Sequence, residues 1–242
     1  MDNKFLETTY YCNHQHPSIH SLSRELVKNT ENELQFIKKA FHYIRDEIRF
    51  GGDIWKVRAS ETLQKKFGPC YGKNVLFMAI LRNKGIPCHL AANPMCRTFA
   101  KPNAGSAHIF FSNPFIHCFT KVKCNDQWIH LDPTLDKDNY DVFFKPMGVN
   151  WNICWDSNGM APLYNESIIG TSLVFDDIDT ALKSNLNSWF IFKHEPVFLL
   201  KLWLWMGNRT MWGKIDKTLK KSGIKKTATP VAQAGVRYPR IE

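Results

Sequence analysis

The chain has 242 residues, 44% hydrophobic and 13% aromatic, with a net charge of +10. That length supports one large domain or two small ones around a sizeable core, and the composition excludes collagen-like and disordered classes. From Gly213 to Glu242 eight Lys and Arg stand against two acids, so six of the ten net charges lie in the last thirty residues. The body is therefore not a nucleic-acid surface, and no nucleic-acid partner is expected.

The seven cysteines are Cys12, Cys70, Cys88, Cys96, Cys118, Cys124 and Cys154. Their number is odd and none form a C-x-x-C pair, which argues against a disulfide framework. Met1 to Tyr10 has no charged-then-apolar leader. A reducing, cytoplasmic setting is expected. The apolar run Pro196 to Met206 is too short to span a bilayer and contains Lys201.

In chain order, residues 1–20 are irregular, with strand character at Thr8 to Tyr11. Cys12, His14, His16 and His20 cluster there, but their spacing matches no common zinc motif and Pro17 interrupts them. No metal is expected. Ser21 or Ser23 can cap a first short helix. Leu34, Ile37, Ala40, Phe41, Ile44 and Ile48 then recur at helical steps, predicting an amphipathic helix over 32–49. Its charges, Arg45 among them, read as a solvated face, and Gly51-Gly52 ends it. Ala59 to Gln64 is a short helix leading to a Gly68-Pro69 turn.

From Cys70 the chain is apolar on nearly every side until Gly85 and Pro87, predicting a buried helix over 70–84. One thiol therefore sits at a helix N-terminus, where free N–H groups and the dipole favour the thiolate. Strand-like pieces follow at Cys88–Ala92, Ala107–Phe111, Phe115–Lys123 and Gln127–Leu131. Asn125-Asp126 suits a two-residue hairpin turn, which pairs Cys124 with Gln127. In that register His117 and Asp132 share one face diagonally, while Cys118, Thr120 and Val122 face a core with Ile129 and Leu131.

Residues 133–180 are loop-rich. The acids Asp176, Asp177 and Asp179 suit a helix N-terminus better than a calcium loop. Helices rich in Trp, Phe and Leu run to about Lys221, and a flexible basic tail follows from Gly223. The expected division is a catalytic domain over 1–175, a helical extension over 176–222 and a tail over 223–242.

A cysteine nucleophile needs a base, and the base needs a carboxylate to fix its tautomer. Cys70, His117 and Asp132 supply that set. Three blocks carry a resemblance to the transglutaminase-like superfamily, more closely to its small bacterial-type members. The first is Ala59 to Leu63, Gly68-Pro69-Cys70 and Leu81 to Pro87. The others are His117 to Val122 and Trp128 to Thr134. Tyr43 to Arg49 also resembles the helix end that precedes the nucleophile block. The resemblance implies an α+β, papain-like fold, with Cys70 on a buried helix packed against an antiparallel sheet and a Cys70–His117–Asp132 triad. Cys118 departs from the small residue usual after the histidine.

The N–H of Cys70 and the side chain of Gln64 are candidate oxyanion donors. His108 and His130 are rival bases by residue type, and Trp151 and Trp155 could wall a substrate or pack a core. The expected activity is cleavage or transfer of an acyl group from an amide through a thioester on Cys70, with hydrolysis favoured. The alternatives are transfer to an amine, as in a transglutaminase, or a non-catalytic binding protein of the same fold. No cofactor is implied. The expected partners are a peptide, a protein or an amide-containing small molecule. A basic amphipathic stretch, Phe198 to Lys217, could also touch an anionic membrane. The ion pair with His117 is expected to outweigh burial and lower the Cys70 pKa.

Overall fold

The computed structural model describes residues 3–149, 153, 155, 167–183 and 197–223. Trp151, Cys154 and the tail from residue 224 lie outside the described residues. The chain opens with a 3-10 turn, Asn3–Leu6, and the stretch Thr8 to Tyr11 forms no strand. Helix α1, Pro17–Val27, starts at proline with the His16 imidazole accepting from Ser18 N–H. Helix α2, Glu33–Glu47, is capped by Asn32, which accepts from the Gln35 N–H at 3.0 Å. Its buried stripe is Phe36, Ile37, Ala40, Phe41 and Ile44, as the periodicity requires. Arg45 departs from the expected solvated face. It is buried, paired with Asp46 at 2.6 Å and bonded to the Ile153 carbonyl at 3.1 Å.

Strand β1, Arg49–Phe50, pairs in parallel with β2, Phe67–Gly68, and α3, Ala59–Lys65, lies between them in sequence. Helix α4, Cys70–Asn83, is the centre of the molecule: every residue from Cys70 to Arg82 is buried. Helices α1, α2 and α3 pack on it from one side and the sheet from the other. It ends in a glycine cap: Gly85, at φ +76°, donates to the Arg82 carbonyl, and Ile86 donates to that of Leu81.

The main sheet has the order β5-β4-β3-β6 and is antiparallel throughout. Its strands are β3, Cys88–Met95; β4, Phe115–Cys124; β5, Gln127–Leu131; and β6, Leu173–Phe175. The β4–β5 hairpin has the expected register, Cys124 opposite Gln127 through to Thr120 opposite Leu131. Asn125 and Asp126 both have positive φ, as a type I′ turn needs. Strand β3 runs three residues past expectation, because Asn93 and Pro94 look like turn formers yet pair with β4. The strand expected at Ala107–Phe111 is instead a 3-10 helix, Gly105–Phe110, following α5, Lys101–Ala104. Gly105, at φ +56°, turns the chain there, and Ile109 and Phe110 stay exposed.

Beyond β5 come α6, Lys137–Asn139, a π-helical turn over Tyr140–Phe144 and a 3-10 turn over Lys145–Met147. Helix α7, Ile178–Lys183, buries Ile178 and Ala181 in the main core. Its acids tie down the N-terminal segment: Asp177 caps the helix through Thr180 N–H, Asp176 pairs with Lys4, and Asp179 accepts from Thr9 and Tyr11.

Helix α8, Val197–Lys221, docks through Leu204, Asn208, Met211, Ile215 and Leu219. These lie at helical steps, but they are not the stripe that hydropathy picks out: Phe198, Leu199, Leu202 and Met206 are exposed. Docking is close and specific. Asn208 accepts from Gly52 N–H and donates to its carbonyl, Trp212 Nε1 donates to Phe50 O, and Arg49 pairs with Asp216 at 2.8 Å. A β-carbon on Gly51 would sit 2.8 Å from the Trp212 ring, and one on Gly52 2.7 Å from Leu204. The two glycines therefore admit α8, and they do not end α2, which stops at Glu47 with β1 before them.

Candidate active site

The turn before α4 delivers Cys70 as its first helical residue, after Pro69 has set the entry. Strand β4 brings His117, and the chain leaving β5 brings Asp132. His117 Nε2 donates to Asp132 Oδ2 at 2.6 Å, and both side chains are almost wholly buried. The Cys70 thiol hydrogen-bonds the same imidazole. With Nε2 committed to Asp132, the thiol falls to Nδ1.

Asn74 holds this arrangement together. One helical turn below Cys70, its amide donates to Cys70 O at 2.9 Å, Cys118 O at 3.0 Å and Thr134 Oγ1 at 3.1 Å. Its carbonyl oxygen accepts from Thr120 Oγ1 at 2.8 Å. Thr134 N–H in turn donates to Asp132 Oδ1 at 3.1 Å. One buried amide thus links helix, strand and the aspartate loop. Sequence reasoning missed it, although a lone asparagine inside an apolar helical run is a signal in itself.

Lys73 was missed too. It is fully buried, and its Nζ donates to Arg45 O at 3.0 Å. Burial lowers it to about 8, against the pull of the Asp136, Asp46 and Asp132 charges. Asp136 is also buried, accepting from the Phe50 and Asn139 N–H groups. A cation below the site thus offsets carboxylates that would otherwise stand alone in the interior.

The site's protons are distributed by burial and neighbours. Burial opposes the charged form of His117, but Asp132 and the Cys70 sulfur outweigh it and push the imidazole up to about 10. Burial likewise works against the Asp132 carboxylate, yet His117 and Thr134 hold it below the usual carboxylate range. Burial, and then a hydrogen bond with the Cys118 thiol, push the Cys70 thiol well above its ordinary value, and His117 only partly offsets them. This corrects the expectation of a lowered Cys70 pKa: desolvation wins over the helix N-terminus and the histidine. Cys118 meets the nucleophile as well as the core. Among the described cysteines Cys96 is lowered from its ordinary value, accepting from Thr98 Oγ1 at 3.1 Å.

Gln64 is exposed on α3 and does not line the cavity beside Cys70. The first N–H groups of α4 are the donors that lie nearest the thiol along the chain. His108 bonds the Gly105 carbonyl, His130 packs on Phe119 at 5.4 Å, and neither lines the cavity. Trp155 is buried against Phe41 in the core. Among the described residues no three His, Cys, Asp or Glu side chains converge as a metal site. His16 instead caps α1, and burial pushes Cys12 up to about 12.

Above Cys70 and His117 opens a cavity of about 490 Å³, closed on its far side by α8.

Residues 20–133 match the family model of the transglutaminase-like superfamily, a span that contains the helix, the hairpin and all three residues of the cluster. Over that span the chain is similar to a transglutaminase-like domain. No curated protein matches the chain. Among solved structures it is similar to a candidate cysteine protease from Cytophaga hutchinsonii, with 16% identity and a TM-score of 0.44 over 71% of this chain and 52% of that one. It is also similar to red sea bream transglutaminase, with 13% identity and a TM-score of 0.39 over 53% of this chain and 28% of that one. The chain spans about half the length of the first and less of the second. The transglutaminase-like match ends before α8, so the helix that closes the cavity lies outside it.

Proposed function

We propose that the protein is a cysteine-dependent acyl-transfer enzyme, with Cys70 as nucleophile, His117 as base and acid, and Asp132 as the residue that orients His117. The observation that carries this reading is the single imidazole bonded to a thiol on one side and a carboxylate on the other. With His117 in its neutral form, Cys70 gives its proton to the ring as its sulfur attacks an amide carbonyl carbon. N–H groups at the start of α4 receive the oxyanion. The C–N bond breaks, His117 protonates the leaving amine, and an acyl thioester remains on Cys70. Water then releases the acid, and an amine acceptor in its place would make the reaction a transamidation. Hydrolysis is the simpler outcome.

Domain division follows the same reading: residues 1–175 carry the chemistry, 176–222 form an extension that closes the cavity, and 223–242 are a basic tail. Free thiols suit a reducing, cytoplasmic compartment. Among the described residues no helix is long and apolar enough to cross a membrane. We further propose that α8 lies against an anionic membrane surface, since its exposed Phe198, Leu199, Leu202 and Met206 stand beside exposed Lys201 and Arg209. Full chain and a Phe198→Ser/Leu202→Ser variant should differ in co-sedimentation with phosphatidylglycerol vesicles, and equal partitioning would end that idea.

The deciding experiment for the chemistry is Cys70→Ala, assayed on amide and ester acyl donors. It should lower turnover by roughly a thousandfold or more, as loss of a nucleophile does. Turnover that survives Cys70→Ala would refute the assignment.

A further inference from the structure

The cavity over Cys70 has a chemical character that the residues around the thiol do not explain. Its volume of about 490 Å³ lies within the range of small-molecule sites. Its walls are Trp55, Phe99, Phe111, Phe115, Phe143 and Leu135, with Leu204 and Met211 from α8. Apart from His117, the charged side chains that line it are Asp53 and Lys214. Both are engaged: Asp53 pairs with Lys65 at 3.0 Å, and Lys214 sits 4.9 Å over the Phe143 ring. Among the described lining residues these charges are few against a mostly aromatic and aliphatic wall.

The backbone around the cavity argues against an extended peptide. The open edges of the main sheet are β5 and β6, and no residue of either lines the cavity. Among the described residues β1 lines the cavity through Phe50, and the Phe50 N–H and carbonyl are already bonded to Asp136 and Trp212. Asn103, Thr134, Asn208 and Thr210 also line the cavity, but the amides of an extended peptide would outnumber them, and an unpaired amide among aromatic rings is costly. An apolar chain carries no such cost.

We propose that this cavity is an acyl-chain pocket, and that the acyl donor carries an aliphatic or aryl-aliphatic group of several carbons on the carbonyl that Cys70 attacks. The assignment rests on the catalytic reading above. In the step itself the sulfur–carbon bond forms and the carbon–nitrogen bond breaks. The thiol proton passes through His117 to the leaving amine. Water then cleaves the thioester to a free acid and restores the thiol. No oxidant, reductant or cofactor enters. Helix α8 is the specificity element, because it supplies the far wall from outside the transglutaminase-like match.

The test uses the full chain and a series of N-acyl p-nitroanilides from acetyl through butyryl and octanoyl to dodecanoyl. With about fourfold gained per buried methylene, kcat/KM should rise on the order of several thousandfold from acetyl to octanoyl. A second variant narrows the pocket from α8. Gly207 lines it, a β-carbon there meets nothing within 4 Å, and leucine is the better helix former. Gly207→Leu should cut the octanoyl-to-acetyl preference tenfold or more. Calorimetry with Cys70→Ala reports binding without turnover, and octanoyl anilide should bind far more tightly than acetyl anilide. Cys70-dependent turnover with a flat or falling chain-length profile overturns the pocket and leaves the chemistry standing. Length-dependent binding to Cys70→Ala without turnover by the native chain overturns the chemistry and supports the pocket. Presenting octanoyl anilide in phosphatidylglycerol vesicles separates two sources of the chain. Acceleration assigns a membrane-held donor and no change assigns a soluble one, both with the pocket intact.

Discussion

The floor and the far wall of the cavity are built by different physics. The floor is polar and fully specified: Cys70, His117 and Asp132 are joined by hydrogen bonds, and Asn74 bonds to the helix, strand and loop that carry them. The wall is apolar and assembled from distant parts of the chain, the segment 99–115 and helix α8. A buried polar network tolerates one geometry, because any missing partner leaves a desolvated group unpaired. An apolar wall tolerates many, because dispersion and burial are not directional. On the proposed reading, reaction type belongs to the floor and substrate choice to the wall, and each should be alterable alone.

The largest effect expected is on the floor. Asp132→Asn keeps the volume and removes the charge that holds His117 protonated. It should lower kcat by roughly three to four orders of magnitude with the far-ultraviolet spectrum unchanged. A loss below tenfold would mean that His117 is oriented by something else.

Loosening the wall comes next. Ile215 is wholly buried beneath α8, so Ile215→Ala should cost about 2–5 kcal/mol in denaturant unfolding. The rate of Cys70 alkylation in the folded protein should hold. If it collapses, floor and wall are one unit and the comparison fails.

A smaller effect is expected in stability against pH. His117 is raised from 6.5 to about 10, so its contribution is full below pH 6.5 and fades as pH rises through about 10. Asp132 is lowered, so its contribution is present above 3.8 and lost as pH falls through its folded value. Burial lowers His14, His42, His89 and His130, which weakens the fold below pH 6.5. Lys73, lowered from 10.5 to about 8, acts in the opposite sense to His117, and only above about pH 8. The stability gap between native chain and His117→Ala should thus shrink from pH 6.5 to 8. A constant gap across that window would contradict the raised imidazole.

The smallest expected change is a shift of one reactivity profile. Cys118→Ala removes the hydrogen bond that helps to raise Cys70, so site-resolved iodoacetamide labelling of Cys70 should begin at lower pH than in the native chain. In the native chain Cys96 should label first at mildly acidic pH. An unchanged Cys70 profile would show that burial alone sets the thiol.

Legibility in the sequence divides along the same line as floor and wall. The floor is written in short blocks with strict local rules. Gly68-Pro69 starts α4, Gly85 ends it, and Asn125-Asp126 sets the register that leads His117 and Asp132 to one side. The thiol's charge state was not legible, because it depends on how deeply α4 is buried and on Cys118 across the sheet. The wall was harder still. Helix α8 is apolar around much of its circumference, so two stripes compete, and the one that docks sets Leu204, Asn208 and Trp212 against Gly51 and Gly52 and buries Met211 and Ile215. Over Ala107–Phe111 the alternation reads as a strand, but Gly105 turns the chain and a 3-10 helix runs over Gly105–Phe110. Residues such as Phe99 and Phe143 join the wall through tertiary packing that no local pattern encodes.

The most direct test of the central claim is to trap the acyl-enzyme. The native chain is mixed with p-nitrophenyl octanoate, quenched in acid within the first turnover and mapped by mass spectrometry. The account predicts an octanoyl mass on the Cys70 peptide, removed by neutral hydroxylamine, slowed in His117→Ala and missing in Cys70→Ala. Turnover with no acyl mass on Cys70, or with the acyl group first on another cysteine, would contradict it.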